Sequence, residues 1–217
     1  MTPNIYRYVV ATDAGTAPNP FGTWCSLAIC KPGIRRHAKV GDWIVGFRSK
    51  ANDEVIYAMQ VQRVLSFPEY WNERRFHYKR PDRTPFPDNF YRPTDSGPLE
   101  WVENHIHERE AFKKDTGGLH VLVSRRFWYF GRESPSIPTD LVHLVHSGQS
   151  YAVHKARKAD DAARLEAWLN LWPNGMNGWP IDAAEPSDGM TRSSRDNCSR
   201  RNDRPPNNAP QKQRRCR

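Results

Sequence analysis

The 217-residue chain predicts an α+β domain: a small, twisted, mixed β-barrel with short peripheral helices and a disordered basic C-terminal tail. Three observations predict it. Short β-branched and aromatic runs recur from Ile5 to Phe130, each bounded by Gly, Pro, Asn or Ser. Only Asp160 to Trp172 carries sustained helical periodicity. After Ala184 almost nothing is apolar, and Arg, Asn, Pro and Ser dominate. The expected division is a folded domain at 1–184 and a tail at 185–217.

Ile5 to Ala11 (IYRYVVA) is a strand that ends in a turn cluster. Asp13 to Gly22 holds two Gly and two Pro and is a loop with a constrained path. Trp24 to Cys30 is short and apolar, so strand and helix both fit. Ile34 to Ala38 is one helical turn. Trp43 to Phe47 (WIVGF) reads as a strand covered on both faces. Glu54 to Leu65 alternates: Val55, Tyr57, Met59 and Val61 face one way, Ile56, Ala58, Gln60 and Gln62 the other. That is one long half-buried strand, paired with its predecessor across SKAND. Ser66 caps a short helix, FPEYWN, with Pro68 in its first turn.

Arg74 to Gly118 is the least regular part, and a stretch of that length is either functional or partly disordered. Within it GPLEWV is a small strand. LHVLV and FWYF are two more, and Thr139 to Val145 is a short helix. In the last helix Leu165, Trp168, Leu169 and Trp172 fall at i, i+3, i+4 and i+7, and Pro173 ends it.

The net charge is +9, which favours polyanionic partners. The tail holds nine Lys/Arg against four Asp/Glu, so +5 of that excess lies there and the body is only mildly basic. MTPNIYRYVV has no basic region leading into an apolar run, so no signal peptide is expected. No apolar stretch approaches the roughly 20 residues of a membrane span. The expectation is a cytoplasmic protein with reduced thiols and no membrane partner. Cys25, Cys30 and His37 match no zinc spacing, and no metal or cofactor is expected.

Several blocks of residues carry a family resemblance. They begin with D-x-G-x-A-P-N at Asp13, Gly15, Ala17, Pro18 and Asn19, C-x-L-A-x-C-K-P from Cys25 to Pro32, Ile34-Arg35, and V-G-D-W-I-V-G from Val40 to Gly46. E-Y-W-N at Glu69, Arg75-Phe76, D-N-F-Y at Asp88, V-L-V-S at Val121 and W-Y-F-G at Trp128 follow. Together they resemble the second type of nucleotide modification associated domain, over about Ile5 to Leu144. The resemblance implies a place in phage or bacterial systems that make or handle modified DNA bases. It implies a context rather than a reaction. The stretch from Ile34 to Val64 is also similar to PUA-like domains, including EVE and ASCH domains, small barrels whose pockets hold a base.

The candidate site residues each have two readings. Asp13 and Asn19, in the loop after the first strand, carry side chains suited to reading a base edge, or they bond within an Asx turn. Phe21 and Trp24 stack a base or pack in the core, and Trp43 reads as core. Lys31, Arg35 and Arg36 contact phosphate or form a solvated turn. Asp42 reads as a turn residue. Cys25 reads as a buried thiol rather than a nucleophile. RRFHYKRPDRTPFPDNFYR is a nucleic-acid track or a loop wrapped over the body. His105 and His107 lack a third ligand and are set aside.

The leading expectation is a non-catalytic module that recognises a modified base beside the first loop, in DNA before RNA or in a free nucleotide. Asp13, Asn19, Phe21 and Trp24 would hold the base, and Lys31, Arg35 and Arg36 the phosphate. The alternatives are an enzyme acting on a nucleotide or base, with Asp13 or Asp42 as general base and Lys31 stabilising charge, and a scaffold for partner proteins of a modification system.

Overall fold

The computed structural model describes residues 2–155 and 160–185; the tail from 186 lies outside the described residues. The chain divides into Met1–Ala183 and Ala184–Arg217, and the first unit is the folded body. It is α+β, with short helices on the outside of its sheets.

The large sheet is mixed. Strand β1 (Asn4–Val10) lies parallel to β3 (Trp43–Arg48), with Ile5 opposite Trp43 and Val10 opposite Arg48. β3 turns back into β4 (Ala51–Gln60), which pairs onward with β9 (Phe127–Tyr129). The edges are β10 (Tyr151–Lys155) beside β1 and the two-residue β11 (Gly175–Met176) beside β9. A second sheet has the order β2 (Cys25–Leu27), β8 (His120–Ser124), β5 (Arg63–Ser66). β6 (Tyr91–Pro93) and β7 (Leu99–Trp101) form a separate hairpin. Among the described residues these strands form three separate sheets, so the expected closed barrel is replaced by open, stacked layers.

The single long strand expected from Glu54 to Leu65 is two strands in two sheets. The break has a local cause. The Val61 N–H donates to the Asp42 carbonyl, and the next N–H, of Gln62, donates to Val123 in the other sheet. The strict alternation fails as well. A bulge at Ile56 lets Phe47 pair with Val55 while Gly46 pairs with Tyr57. Val55 therefore joins one core, while Ile56, Tyr57, Met59 and Val61 join the other. β4 is buried on both faces from Val55 to Met59.

Three apolar layers result. Tyr6, Tyr8, Ile44 and Met59 meet Leu27 and Leu122 of the small sheet, closed by Ile34 of α1 (Pro32–His37). On the opposite face of the large sheet, Ile5, Trp43, Val45 and Trp128 pack under Leu141, Leu144, Leu165 and Leu169. The last two belong to α4 (Asp160–Leu169), so half of the predicted stripe is fully buried; Trp168 and Trp172 pack at its margin. Beyond the small sheet, Val121 and Val123 meet Phe67 and Tyr70 of α2 (Phe67–Asn72). Ser66 caps α2 as expected, and its N–H donates in return to the Glu69 carboxylate at 2.7 Å, completing a capping box.

The Arg74–Gly118 stretch wraps this third core. Phe76, Phe90 and Tyr91 of the aromatic and basic run are buried there, as are Lys79 and Asp88. Its remaining helix, α3 (Phe112–Thr116), brings Asp115 into the interior. Among the described residues no helix is long and apolar enough to cross a membrane.

Candidate functional site

The first loop folds back on the end of the described chain. The Asp13 N–H donates to the Asp182 carboxylate at 2.7 Å, and the Asp182 N–H donates to the Asp13 carbonyl at 2.9 Å. The Asp13 carboxylate is buried and accepts from the Tyr129 hydroxyl (2.5 Å) and the Ile181 N–H (3.0 Å). Burial raises its pKa. Asn19 is fully buried. Its amide donates to the Phe86 carbonyl at 2.8 Å, and its oxygen accepts from the Lys79 ammonium at 2.7 Å and the Phe21 N–H at 3.2 Å. Both side chains point inward and position the loop.

The two aromatic candidates lie apart from each other. Phe21 stacks on Phe86 at 4.3 Å and meets Trp179 edge-on. Trp24 is half-buried against Phe76, with the Arg75 and Arg125 guanidinium groups near its ring. Trp43 is core, as the sequence suggests. Asp42 accepts the N–H groups of Asn4 (2.8 Å) and Lys39 (2.9 Å), the turn role read for it.

The basic turn divides three ways. Arg35 is fully buried and donates to the carbonyls of Cys30, His120 and Asp115. Burial pushes its pKa down to about 10, so it remains a cation at neutral pH. Arg36 is exposed and caps the Gly117 carbonyl. Lys31 lines a cavity.

That cavity is a cleft of about 540 Å³, beside the first loop, where Ala11, Thr12, Ala14 and Thr16 form one wall. Cys30 and Lys31 form the turn opposite. Both have positive φ (57° and 40°), an uncommon conformation for side-chain-bearing residues. The Cys30 N–H is held by the Asp115 carboxylate at 2.7 Å, and the Arg35 N–H bonds the Lys31 carbonyl at 3.1 Å. The turn sets the Lys31 ammonium 4.4 Å from the Tyr8 ring centroid. Burial lowers the Lys31 pKa, and the Lys114 charge pushes it the same way. Tyr151 of β10 closes the rim against Gly33, where an added Cβ would stand 2.5 Å from the ring.

His107 lines the floor. Its Nε2 lies 2.5 Å from Asp115, and its ring stacks on Phe90. Asp115 is buried and also accepts from the Tyr91 hydroxyl at 2.8 Å. Burial would raise its pKa, but the bonds from His107, Tyr91 and Cys30 outweigh that and hold it below the usual value. Cys25 is fully buried with its thiol pushed up to about 12, consistent with an inert core thiol.

Among the described residues, the cleft lining thus contains Lys31, Lys114 and no carboxylate. A larger hollow of about 680 Å³ between β7 and α3 has Glu100, Glu103 and Glu110 against Arg109 and Lys113, a field that does not favour an anion. Sequence reading found Lys31 and the loop, set His107 aside as a metal ligand, and missed Lys114, Tyr8 and Tyr151. These residues are far apart in the chain, and only the fold brings them together.

A family model described as nucleotide modification associated domain 2 matches residues 2–187. No curated protein and no solved structure matches the chain.

Proposed function

The chain belongs to the nucleotide modification associated domain 2 family, and on that premise we propose that it recognises a nucleotide carrying a modified base in the cleft beside its first loop. The observation that carries this reading is the pair of lysines in a lining without carboxylates, next to two tyrosine rings. The volume suits a ligand of nucleotide size, since small-molecule sites span about 300–1,000 Å³. Lys31 and Lys114 would hold phosphate as charge-assisted donors. Tyr151 would pack against the base, and Thr12, Thr16 and Gln149 offer donors and acceptors to its edge. Asp13 and Asn19 serve the same site indirectly, by fixing the loop that forms its wall.

The test is calorimetric titration of the full chain with nucleoside monophosphates and short duplexes, modified and unmodified, at two salt concentrations. Lys31→Ala and Lys114→Ala should each weaken binding at least about tenfold, the lower end for one charge-assisted bond. Binding that ignores both lysines but fails in Phe21→Ala or Trp24→Ala would move the base to the aromatic faces outside the cleft.

One observation favours a second reading, an enzyme acting on the nucleotide. His107, backed by Asp115, has the acid–base arrangement of a catalytic pair and lies in the same cleft. Turnover of a bound nucleotide that His107→Gln abolishes while leaving its affinity intact would establish that reading over simple recognition.

A further inference from the structure

Three side chains from three elements converge on the face of the large sheet opposite the cleft. Successive residues of a strand point to opposite faces, so Tyr151 of β10 turns to the cleft while His154, three residues on, turns away from it. There His154 meets Asp161 in the first turn of α4 and His143 near the end of the 3-10 segment Thr139–Leu144. Oδ2 of Asp161 lies 2.8 Å from Nε2 of His154 and 3.2 Å from Nε2 of His143. One nitrogen of each ring and a carboxylate oxygen all lie within 4.8 Å of one another. The ring centroids are 5.4 Å apart. Arg7 donates to the His143 carbonyl at 2.8 Å and so anchors the segment that carries this histidine.

The triangle has metal-site dimensions. Ligand atoms about 2.0–2.2 Å from a tetrahedral ion stand roughly 3.3–3.6 Å from one another. Both carboxylate–imidazole edges are already close to that, and rotation of the exposed His143 ring adjusts the third. Two imidazoles and one carboxylate suit zinc and its neighbours rather than calcium or magnesium, which prefer oxygen. The His143 side chain is 43% exposed, so the triangle opens to solvent. Three protein ligands with an open position differ from the closed four-ligand structural type.

We propose that His143, His154 and Asp161 bind one divalent transition-metal ion of the zinc class, with one coordination position facing solvent. Without the ion, the two Nε2–H groups donate to the carboxylate. On binding, each ring turns an Nε2 lone pair to the metal and carries a proton on Nδ1. The site is independent of the cleft and does not rest on the nucleotide reading. The three residues lie eleven and seven positions apart, a spacing without a motif, which is why sequence reading expected no metal.

The test uses the full chain stripped with a chelator, titrated with Zn(II) by calorimetry and with Co(II) by visible absorption. The expected result is one ion with a four- or five-coordinate cobalt spectrum. His154→Ala and Asp161→Ala should each weaken it at least about 100-fold, because even outer-shell partners are worth 10–100-fold. His143→Gln alters an exposed ring and decides the matter if either of those variants fails to fold. Absence of saturable binding of both ions would overturn the proposal. So would an ion retained by the His143→Ala/His154→Ala double variant, which would place it elsewhere.

Discussion

Replacing Arg35 by alanine separates two roles for the basic turn, phosphate contact and internal strut. The guanidinium is fully buried and donates to the carbonyls of Cys30 at 2.7 Å, His120 at 2.8 Å and Asp115 at 2.5 Å. It also lies 3.8 Å from the Asp115 carboxylate. Alanine would leave three acceptors without this donor and one buried carboxylate without its cation. Removing one partner of a buried ion pair costs about 3–5 kcal/mol. The three bonds would add more, but the guanidinium's own desolvation cost disappears with it, so about 4 kcal/mol is the expected loss. For a body of this size that lowers the melting temperature by roughly 8–16 °C. Lysine should not rescue it, because one ammonium cannot span three carbonyls arranged for a planar fork. Urea unfolding followed by tryptophan fluorescence measures the loss, and nucleotide titration of the folded fraction measures the alternative. A loss below about 1 kcal/mol together with a tenfold drop in nucleotide affinity would refute the strut and restore Arg35 as a phosphate ligand.

Two more outcomes follow from the same interior. Asn19→Ala leaves the buried Lys79 ammonium with the Asn19 carbonyl at 3.1 Å in place of its shorter amide contact and removes the bond to Phe86; the urea midpoint should fall by the equivalent of about 3 kcal/mol with an unchanged slope. Asp115 has a folded pKa below its ordinary value of about 3.9, so its charge stabilises the fold at all pH above that value and the contribution is lost as pH falls through the lower folded pKa. Wild type and Asp115→Asn should therefore differ in melting temperature at pH 6 and converge as the pH drops below the ordinary aspartate range. A difference that persists unchanged into acid would place the effect in hydrogen-bond geometry instead.

Much of the fold was legible. β1, β3, β8, β9, α2 with its cap, and α4 all follow from local pattern, because each has a periodicity or a capping chemistry of its own. Three features were not. The bulge at Ile56 leaves no trace in composition, since Val55, Ile56 and Tyr57 suit a strand on either face. β10 and β11 are strands by pairing rather than propensity: YAVHK borrows its order from β1, and Gly175–Met176 from β9. The barrel was read from the run of short strands and a fold-level likeness, and closure is decided by how edge strands pair, which neither specifies.

The candidate site shows why polar residues in a constrained loop attract a functional reading. A loop rich in Pro and Gly that is drawn into the interior cannot satisfy its backbone with a ladder, so nearby side chains must do it. Asp13 does this for Gly15 and Asn19 for Phe21 in the first loop, and Asp115 does it for the Cys30–Lys31 turn. Side chains suited to reading a base edge are also the ones suited to holding a buried loop, and sequence alone does not separate the two uses. What separates them is which polar groups still face open space. Those that line the cleft are Lys31, which also donates to the Val9 carbonyl, Lys114, His107 and Tyr151, beside a turn that two positive φ angles bring over Tyr8. The inward residues build the wall, and the lysines of the lining are what the proposed phosphate would meet.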